Sequence, residues 1–274
     1  KYGDVVKKVI ESYAPGCRKE ISLQPNGLLW AQKDRTALTW MNAYIDGCPV
    51  TERSGYQVET NAFWYDMLCF AIEMESKYGR KTSGFVEKWS PVRDMVAENY
   101  QKMFWMPDKG YLADYVDNYG QNADVRPNQL FALAVHHQPV DDTVLGSIMN
   151  VVDRELVTSR GIRTLSPRDL KYKGVYEGTQ KERDMAYHQG CAWPALLLPY
   201  ARIKFRMDGA AFCKRAEWLM EGFYDDLNKH GVGMFSELYD GDPPHEPHGA
   251  ISSAMSTAAL LYVENLINKY KEER

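Results

Sequence analysis

Three stretches of the sequence combine side chains that can exchange protons with side chains that can bind a polar ligand. They are LTWMNAYIDGCPVTERSGYQVETNAFWY (residues 38–65), RDMAYHQGCAWP (183–194) and FSELYDGDPPHEPHGAISSA (235–254). Each contains at least one carboxylate, an Arg or a His, and Trp or Tyr. Positioned carboxylates act as general acids and bases, and Tyr and Trp offer a flat apolar face with a polar tip. This combination suits a ligand that carries both hydroxyl groups and apolar C–H faces.

Each of these side chains, taken alone, has an ordinary structural explanation. A residue such as Glu237 is usually a solvated surface carboxylate, His188 a hydrogen-bonded structural histidine, and Trp40, Trp64 and Trp193 are core residues. Their joint placement favours a functional interpretation, because each stretch leads from a loop into an apolar helix. The N-terminus of such a helix also offers free N–H groups.

Hydrophobic periodicity predicts about eight helices, in which one-sided helices alternate with helices that are apolar on most sides. The predicted helices cover residues 5–13, 61–78, 90–104, 127–137, 141–154, 187–205, 210–228 and 251–270. We expect the helix over 61–78 to be buried on most sides, and the third to begin at Ser90 as N-cap with Pro91 in its first turn. Strand-like segments at 27–32, 37–40 and 111–116 are predicted as hairpins within loops.

Long connectors over residues 17–60, 106–126, 157–186 and 229–250 each lead into a predicted apolar helix. Long loops of this kind usually have a function. In an antiparallel ring of helices all four would emerge on the same side, so one face is expected to carry the site. The pattern shows no internal repeat and no second domain, and we expect a single domain over residues 1–274.

Composition excludes several classes of protein. The chain has 33 Lys and Arg against 37 Asp and Glu residues, a net charge of −4 and no basic stripe, which argues against a nucleic-acid partner. Its longest apolar run, residues 191–200, contains two prolines and is far shorter than the roughly 20 residues that span a bilayer. Five scattered cysteines favour reduced thiols over a disulfide framework or a zinc ribbon. We therefore expect a soluble, cytoplasmic protein without a membrane partner.

Other chemistries find no matching motif. There is no GxSxG, GVGMFS (231–236) lacks the third glycine of a dinucleotide loop, and GRKTS (79–83) lacks the glycine spacing of a phosphate loop. DGDPPHEPH (240–248) contains two histidines and two aspartates, but their spacing matches neither a zinc helix motif nor a calcium loop. The sequence therefore favours none of these chemistries.

The longer motifs resemble a known family. LTWMNA, PVTER, VETNAFWY, RPNQLFAL, RTLSP, RDMAYHQG and SELYDGDPPHEPHGAISSA are similar, in this order, to the C-terminal amylo-α-1,6-glucosidase domain of glycogen debranching enzymes. The resemblance implies an all-α (α/α)6 toroid that hydrolyses the single α-1,6-linked glucose at a trimmed glycogen branch, with inversion and without a cofactor or a metal. A closed toroid has twelve helices, so the expected fold is a toroid incomplete at its N-terminus, whose upstream part precedes Lys1. The implied partner is glycogen or another α-glucan oligosaccharide.

The resemblance also implies catalytic roles. An inverting glycosidase pairs an acid that protonates the leaving oxygen with a base that activates water. Glu237 matches the family's base, whereas the acid, the Asp of TWMDA, is Asn42 here. An amide cannot supply the proton, and general acid catalysis is worth about 10²- to 10⁴-fold. Hydrolysis is expected to be weakened or lost, while sugar binding can survive.

The remaining matched positions are expected to contact substrate. The residues implied to bind hydroxyl groups are Arg53, Glu59, Asp184 and His188, and those implied to form apolar walls are Trp40, Trp64, Tyr65 and Trp193. Arg126 and Gln129 are expected to line the funnel, with structural packing as the alternative.

Asn42 has three explanations: an engineered change, natural divergence, or a tolerated change with Asp46 or Glu59 acting as the acid. Natural divergence is favoured because further positions depart from the family pattern. These are Glu52 in TER, Cys191 and Ala192 in CAWP, and Ser253 and Met255 in SAMS. The alternative functions are a non-catalytic carbohydrate-binding or scaffold module, and a related toroid glycosidase with another sugar, of trehalase or glucoamylase type.

Overall fold

The computed structural model describes residues 3–14, 19–79 and 84–272. The chain divides into two compact units. The first comprises the described parts of Lys1–Asn42, Glu52–Ala123 and Phe131–Met149, and the second those of Ala43–Thr51, Asp124–Leu130 and Asn150–Arg274.

Nine α-helices lie within the described residues: α1 Gly3–Glu11, α2 Val58–Tyr78, α3 Phe85–Phe104, α4 Gln129–Ala134, α5 Asp142–Glu155, α6 Gln180–Tyr187, α7 Leu197–Asp208, α8 Cys213–Tyr224 and α9 Ala254–Glu272. The described strands are β1 Ile21–Leu23, β2 Leu29–Ala31, β3 Tyr44–Ile45, β4 Cys48–Pro49, β5 Tyr56–Gln57, β6 Trp105–Met106, β7 Tyr111–Leu112, β8 Tyr115–Asp117, β9 Gly120–Gln121, β10 Val157–Thr158, β11 Gly161–Arg163, β12 Ala192–Trp193, β13 Leu238–Tyr239 and β14 Pro247–His248. None of these helices is long and apolar enough to cross a bilayer.

The first unit is built around α2, which packs against α1 and α3. The buried rings of Trp64 on α2 and Trp89 on α3 meet edge to face at 5.9 Å. Asn61 ties the β1–β2 hairpin to this helix, because its amide accepts from Leu29 N at 2.7 Å and donates to Leu29 O at 3.1 Å. A buried amide that is satisfied in both directions fixes the loop to the helix, since leaving either group unpaired is costly.

The outer face of α2 departs from the expectation of burial on most sides. Phe63, Phe70 and Met74 are exposed, as are Val5 and Val9 on α1. Of these residues, Val5, Val9, Phe63 and Phe70 line an apolar groove of about 310 Å³, together with Met67. The helix is apolar on nearly all sides as predicted, but the described residues bury only part of that surface.

The third helix begins at Phe85 and not at Ser90, so Pro91 lies inside it. Its N-cap is Gly84, whose φ of 64° is a left-handed conformation that glycine adopts without strain. The early start places the buried Trp89 side chain on the helix, where its indole N–H also donates to Glu11 Oε1 at 2.9 Å. Tertiary packing of this ring therefore outweighs the local start signal.

The second unit holds a five-stranded antiparallel sheet in the order β10-β11-β12-β13-β14. The helices α7, α8 and α9 also lie in this unit, and α9 packs against α7 and α8. The sheet escaped sequence analysis because its strands are two or three residues long and come from distant parts of the chain.

The predicted helix over 187–205 is wrong. Helix α6 ends at Tyr187, β12 follows, and α7 begins only at Leu197 after a 3-10 turn at Pro194. Gly190 breaks the helix, because its φ of 155° and a Cβ position only 2.4 Å from Lys173 O exclude a side chain. Helix α6 itself starts in a predicted connector with a capping box of Thr179 and Glu182, a signal that sequence analysis overlooked.

Two smaller differences concern loops. The helix predicted over 127–137 is reduced to α4, and residues 37–40 do not form a strand. Instead IDGC forms a tight hairpin between β3 and β4, in which Asp46 and Gly47 both have positive φ angles of 51° and 75°. Asp-Gly is a typical pair for such a two-residue turn.

Candidate active site

In the first unit the buried Arg53 guanidinium lies between two carboxylates. It donates from Nη1 and Nη2 to the two oxygens of Glu59, the second bond being 2.7 Å long. Its Nε donates to Asp114 Oδ2 at 2.7 Å and its Nη2 to the main-chain oxygen of Asp114 at 2.9 Å. Burial works to lower the pKa of Arg53, but Asp114 and Glu59 outweigh it and raise the pKa above its ordinary value. Arg53 therefore remains charged and fixes the loop before α2.

Asn42 lies on an exposed position of the same unit, between the buried Met41 and Ala43. The backbone N–H of Asn42 donates to Trp40 O at 3.0 Å. Trp40, half-buried, contacts the ring of Phe131 edge to face at 6.3 Å. The side chain at position 42 is thus held by a turn and open to solvent, as a group that meets a ligand must be.

The other predicted aromatic residues of this unit differ in exposure. Trp64 is a core residue whose indole N–H donates to Gly27 O at 3.0 Å. Tyr65 is half-buried, and burial beside Cys69 raises the pKa of its hydroxyl to about 12. Tyr65 is therefore the more accessible of the two, and the contribution of either to a sugar wall stays a prediction.

Asp46 and Glu59, the two alternatives to Asn42 as the acid, both already have hydrogen-bonding partners. Asp46, an exposed residue of the second unit, pairs with Lys181 Nζ at 2.6 Å. Glu59 has both oxygens occupied by Arg53. Both carboxylates thus already take part in charge-assisted hydrogen bonds within the fold. Neither arrangement favours a substitute for Asn42.

In the second unit Glu237 precedes β13 as a half-buried carboxylate with two donors. Tyr187 Oη donates to its Oε1 at 2.6 Å, and the main-chain N–H of Ala250 donates to its Oε2 at 2.9 Å. Gly249 is required here, because its φ is 73° and a Cβ would lie 2.5 Å from Glu237 Oε2. One donor on each oxygen holds the carboxylate in a single orientation.

Aromatic rings surround the partner of this carboxylate. Tyr187 meets Trp193 edge to face at 5.0 Å, and Trp193 stacks on His188 at 5.4 Å. The ring centroids of Tyr176 and Tyr187 lie 6.0 Å apart. Burial raises the pKa of Tyr187, and the hydrogen bond to Glu237 raises it further. The phenol therefore stays protonated and continues to donate.

Side chains of the DGDPPHEPH motif contact the segment that carries Tyr176. Asp240 accepts from the main-chain N–H of Tyr176 at 2.7 Å and lies 3.0 Å from His248 Nε2. His245 Nδ1 lies 2.8 Å from Asp240 O. Within the described residues no group of three or more His, Cys, Asp or Glu side chains is arranged to hold a metal ion.

Three further predicted residues belong to this unit. Arg126 is buried and donates to His188 O at 2.8 Å and to Gln189 Oε1 at 2.7 Å, so it fixes the chain that presents His188. Gln129, also buried, donates to Arg126 O at 3.1 Å. Asp184, half-buried, accepts from Gln180 at 2.7 Å. The funnel-lining role of Arg126 and Gln129 and the alternative of structural packing both stay predictions.

Several members of these clusters were not predicted from the sequence. Tyr187, Tyr176 and His248 adjoin Glu237 or its partners, and Tyr187 lies inside the RDMAYHQG motif between two residues that were selected. Asp114 is 61 residues from Arg53 in sequence, and no local pattern marks it as a partner.

The family model described as amylo-alpha-1,6-glucosidase matches residues 1–262. The chain belongs to this family. The resemblance inferred from the motifs is therefore confirmed. A curated member, the glycogen debranching enzyme of Saccharomyces cerevisiae, is 25% identical over 265 residues, covering 78% of this chain and 17% of that protein.

This member of the amylo-alpha-1,6-glucosidase family shares its fold with solved structures of other proteins. Neutral trehalase from Saccharomyces cerevisiae superposes with a TM-score of 0.56 at 12% identity, over 78% of this chain and 38% of that one. A GH63 mannosylglycerate hydrolase from Thermus thermophilus gives 0.53 at 13% identity, over 76% and 44%. The predicted (α/α)6 toroid class is confirmed. The chain spans less than half the length of each of these relatives.

Proposed function

We propose that this glycoside hydrolase-like domain binds α-glucan, with Glu237 as the base of an inverting α-1,6-glucosidase site whose acid position is occupied by Asn42. The observation that carries the proposal is the half-buried carboxylate of Glu237, which is oriented by the N–H of Ala250 and by the hydroxyl of Tyr187, whose ring packs against Trp193. A fixed carboxylate next to aromatic faces suits a water molecule attacking a sugar ring.

The proposed reaction has one step for which the site provides no proton donor. Glu237 takes a proton from water while the water oxygen attacks the anomeric carbon, and the bond to the leaving O6 breaks. The leaving oxygen then needs a proton, which the Asn42 amide cannot supply. Hydrolysis is slowed at this step, while binding is unaffected. We ascribe Asn42 to natural divergence, because Met255 and Glu52 also depart from the family pattern.

The direct experiment restores the acid. Asn42→Asp in the full-length protein is expected to raise glucose release from a branched limit dextrin by about 10²- to 10⁴-fold, the usual contribution of a general acid. The matched control is Asn42→Asp combined with Glu237→Gln, which should release none of this additional glucose. If neither the wild-type protein nor Asn42→Asp releases any sugar, the hydrolase proposal fails.

Asn42 also favours a second candidate, a carbohydrate-binding module without turnover. Calorimetry with maltooligosaccharides separates the two. Binding that persists without hydrolysis after Asn42→Asp would support the module. Absence of binding would leave a helical scaffold as the function.

Location and assembly are proposed on other grounds. Cys69, Cys191 and Cys213 are buried free thiols, a form that persists in the reducing cytoplasm.

The apolar groove on α1 and α2, lined by Val5, Val9, Phe63 and Phe70, is proposed to pack against further helices of the toroid, because the solved relatives are more than twice as long as their match to this chain. In that assembly the chain forms one domain with those helices.

A further inference from the structure

A groove of about 490 Å³ opens in the first unit beside α3 and the β8–β9 hairpin. Ligand sites commonly measure about 300 to 1,000 Å³. Its lining, here called the α3 groove, includes Asn26, Asn99, Lys102, Met103, Val116 and Gln121. None of these residues belongs to the clusters around Arg53 or Glu237.

Two amide side chains in the α3 groove are held in fixed orientations by the main chain. Asn99 Nδ2 donates to Asn26 O at 3.1 Å and to Met95 O at 2.9 Å. Gln121 Nε2 donates to Met103 O at 2.8 Å and to Trp105 O at 3.3 Å. With both NH2 groups used in this way, each amide oxygen is left as an acceptor without a partner among the described residues. Two preset acceptors are suited to hydroxyl donors.

Apolar and aromatic surfaces adjoin these acceptors. Met103 and Val116 supply apolar lining, and Val116 pairs across the sheet with Tyr56, whose ring meets Trp30 edge to face at 5.0 Å. Tyr56 Oη accepts from Asn26 Nδ2 at 3.3 Å and keeps its own proton for donation. At the tip of the adjoining hairpin Tyr119 is fully exposed (100%). An exposed Tyr ring offers an apolar face and a polar tip, which suits the C–H face and the hydroxyl groups of a sugar.

The charge and polarity of the α3 groove limit the class of ligand that it can bind. The cation of the groove, Lys102 Nζ, pairs with Glu98 at 2.9 Å, so the groove has no excess positive charge for a phosphate. Its amide acceptors make it too polar for a lipid chain. We propose that the α3 groove binds a neutral oligosaccharide, namely a linear segment of α-glucan, as a site additional to Glu237. The naming of α-glucan rests on the proposed function.

The probes are glycogen, in affinity electrophoresis, and maltoheptaose, in calorimetry. The double variant Tyr119→Ala, Gln121→Ala removes an exposed ring and one amide acceptor, and it is expected to weaken glycogen retention about tenfold. The matched control is Tyr78→Ala, another exposed tyrosine of the first unit that does not line the groove. Melting temperatures of all three proteins check that the fold is intact.

The outcomes are distinct. The proposed α3 groove site is wrong if glycogen retains the double variant, the control and the wild-type protein equally. It is also wrong if glycogen does not retain the wild-type protein. Hydrolysis of isomaltose by Asn42→Asp reports on the Glu237 site alone, because this disaccharide needs no second site. Loss of isomaltose hydrolysis with preserved groove-dependent retention would reject the proposed catalytic function and keep the groove. Maltoheptaose-induced shifts of the Asn99 and Gln121 amide signals in NMR spectra provide a test without a variant.

Discussion

Tyr187 is the residue on which the orientation of Glu237 depends most directly. Its hydroxyl is a 2.6 Å donor to Oε1, and a hydrogen bond to a charged group contributes about 1.5–3 kcal/mol. In the Asn42→Asp background, Tyr187→Phe is expected to lower kcat about tenfold or more and to leave KM unchanged, because the ring still packs on Trp193. Steady-state kinetics on limit dextrin measure this, with the exposed Tyr44→Phe as control. An unchanged kcat would show that the Ala250 N–H alone suffices.

Arg53 makes a prediction about stability. Arg53→Met leaves Glu59 and Asp114 buried without their cation, and breaking a buried pair in this way destabilises a protein by about 3–5 kcal/mol. Urea unfolding measures the loss. Lys33→Met, which breaks an exposed pair with Glu20, is the control and should lose at most about 1 kcal/mol. Equal small losses in both variants would contradict the buried network.

At this scale the sequence supports prediction where chemistry is local. Glu237 and Asn42 were selected from contiguous motifs, and the structure gives Glu237 two donors and Asn42 an exposed position. Asp114 and the Tyr187 donor were not foreseen, because their roles arise from contacts between segments far apart in sequence. The roles assigned to the remaining site residues stay predictions.

Between elements, His137 links the segment after α4 to α2. Its Nδ1 lies 2.8 Å from Asp66 Oδ1 and its Nε2 2.9 Å from Glu73 Oε1. Burial lowers the pKa of His137, but the hydrogen bonds to Asp66 and Glu73 outweigh it and raise the pKa above its ordinary value. A raised pKa means that the stabilisation is complete below the unfolded value and is lost as pH rises through the folded value.

The corresponding prediction compares wild type with His137→Gln by urea unfolding at two pH values. The wild type should be more stable by about 0.5–1 kcal/mol at about pH 5.5, and this advantage should shrink by about pH 9. An advantage that grows with pH would contradict the ion pairs.

Whole helices with a long periodic pattern were predicted well, whereas boundaries set by packing were not. Helices α2, α5, α8 and α9 lie where periodicity placed them. The start of α3 follows the burial of Trp89 rather than the Ser-Pro signal, and Gly190 ends what looked like one apolar helix. Burial of rings and close backbone approaches are properties of the folded chain that a local pattern does not contain.

In the assembly proposed for the whole molecule, other helices of the toroid cover the apolar groove on α1 and α2. Phe70→Cys in the full-length protein should react slowly with a maleimide, and it should react fast in the 274-residue chain alone. Tyr78→Cys, an exposed position beyond that groove, should react fast in both. Equal rates for Phe70→Cys in the two proteins would contradict the covering helices.

Inversion with Glu237 as the base is tested by the anomeric form of the glucose that Asn42→Asp releases first, followed by proton NMR in the full-length protein. In the proposed mechanism, a water molecule activated by Glu237 attacks from the face opposite the leaving oxygen and inverts the α-linked carbon. We therefore expect β-glucose as the initial product, and no release after addition of Glu237→Gln. Initial release of α-glucose, or release that survives Glu237→Gln, would contradict it.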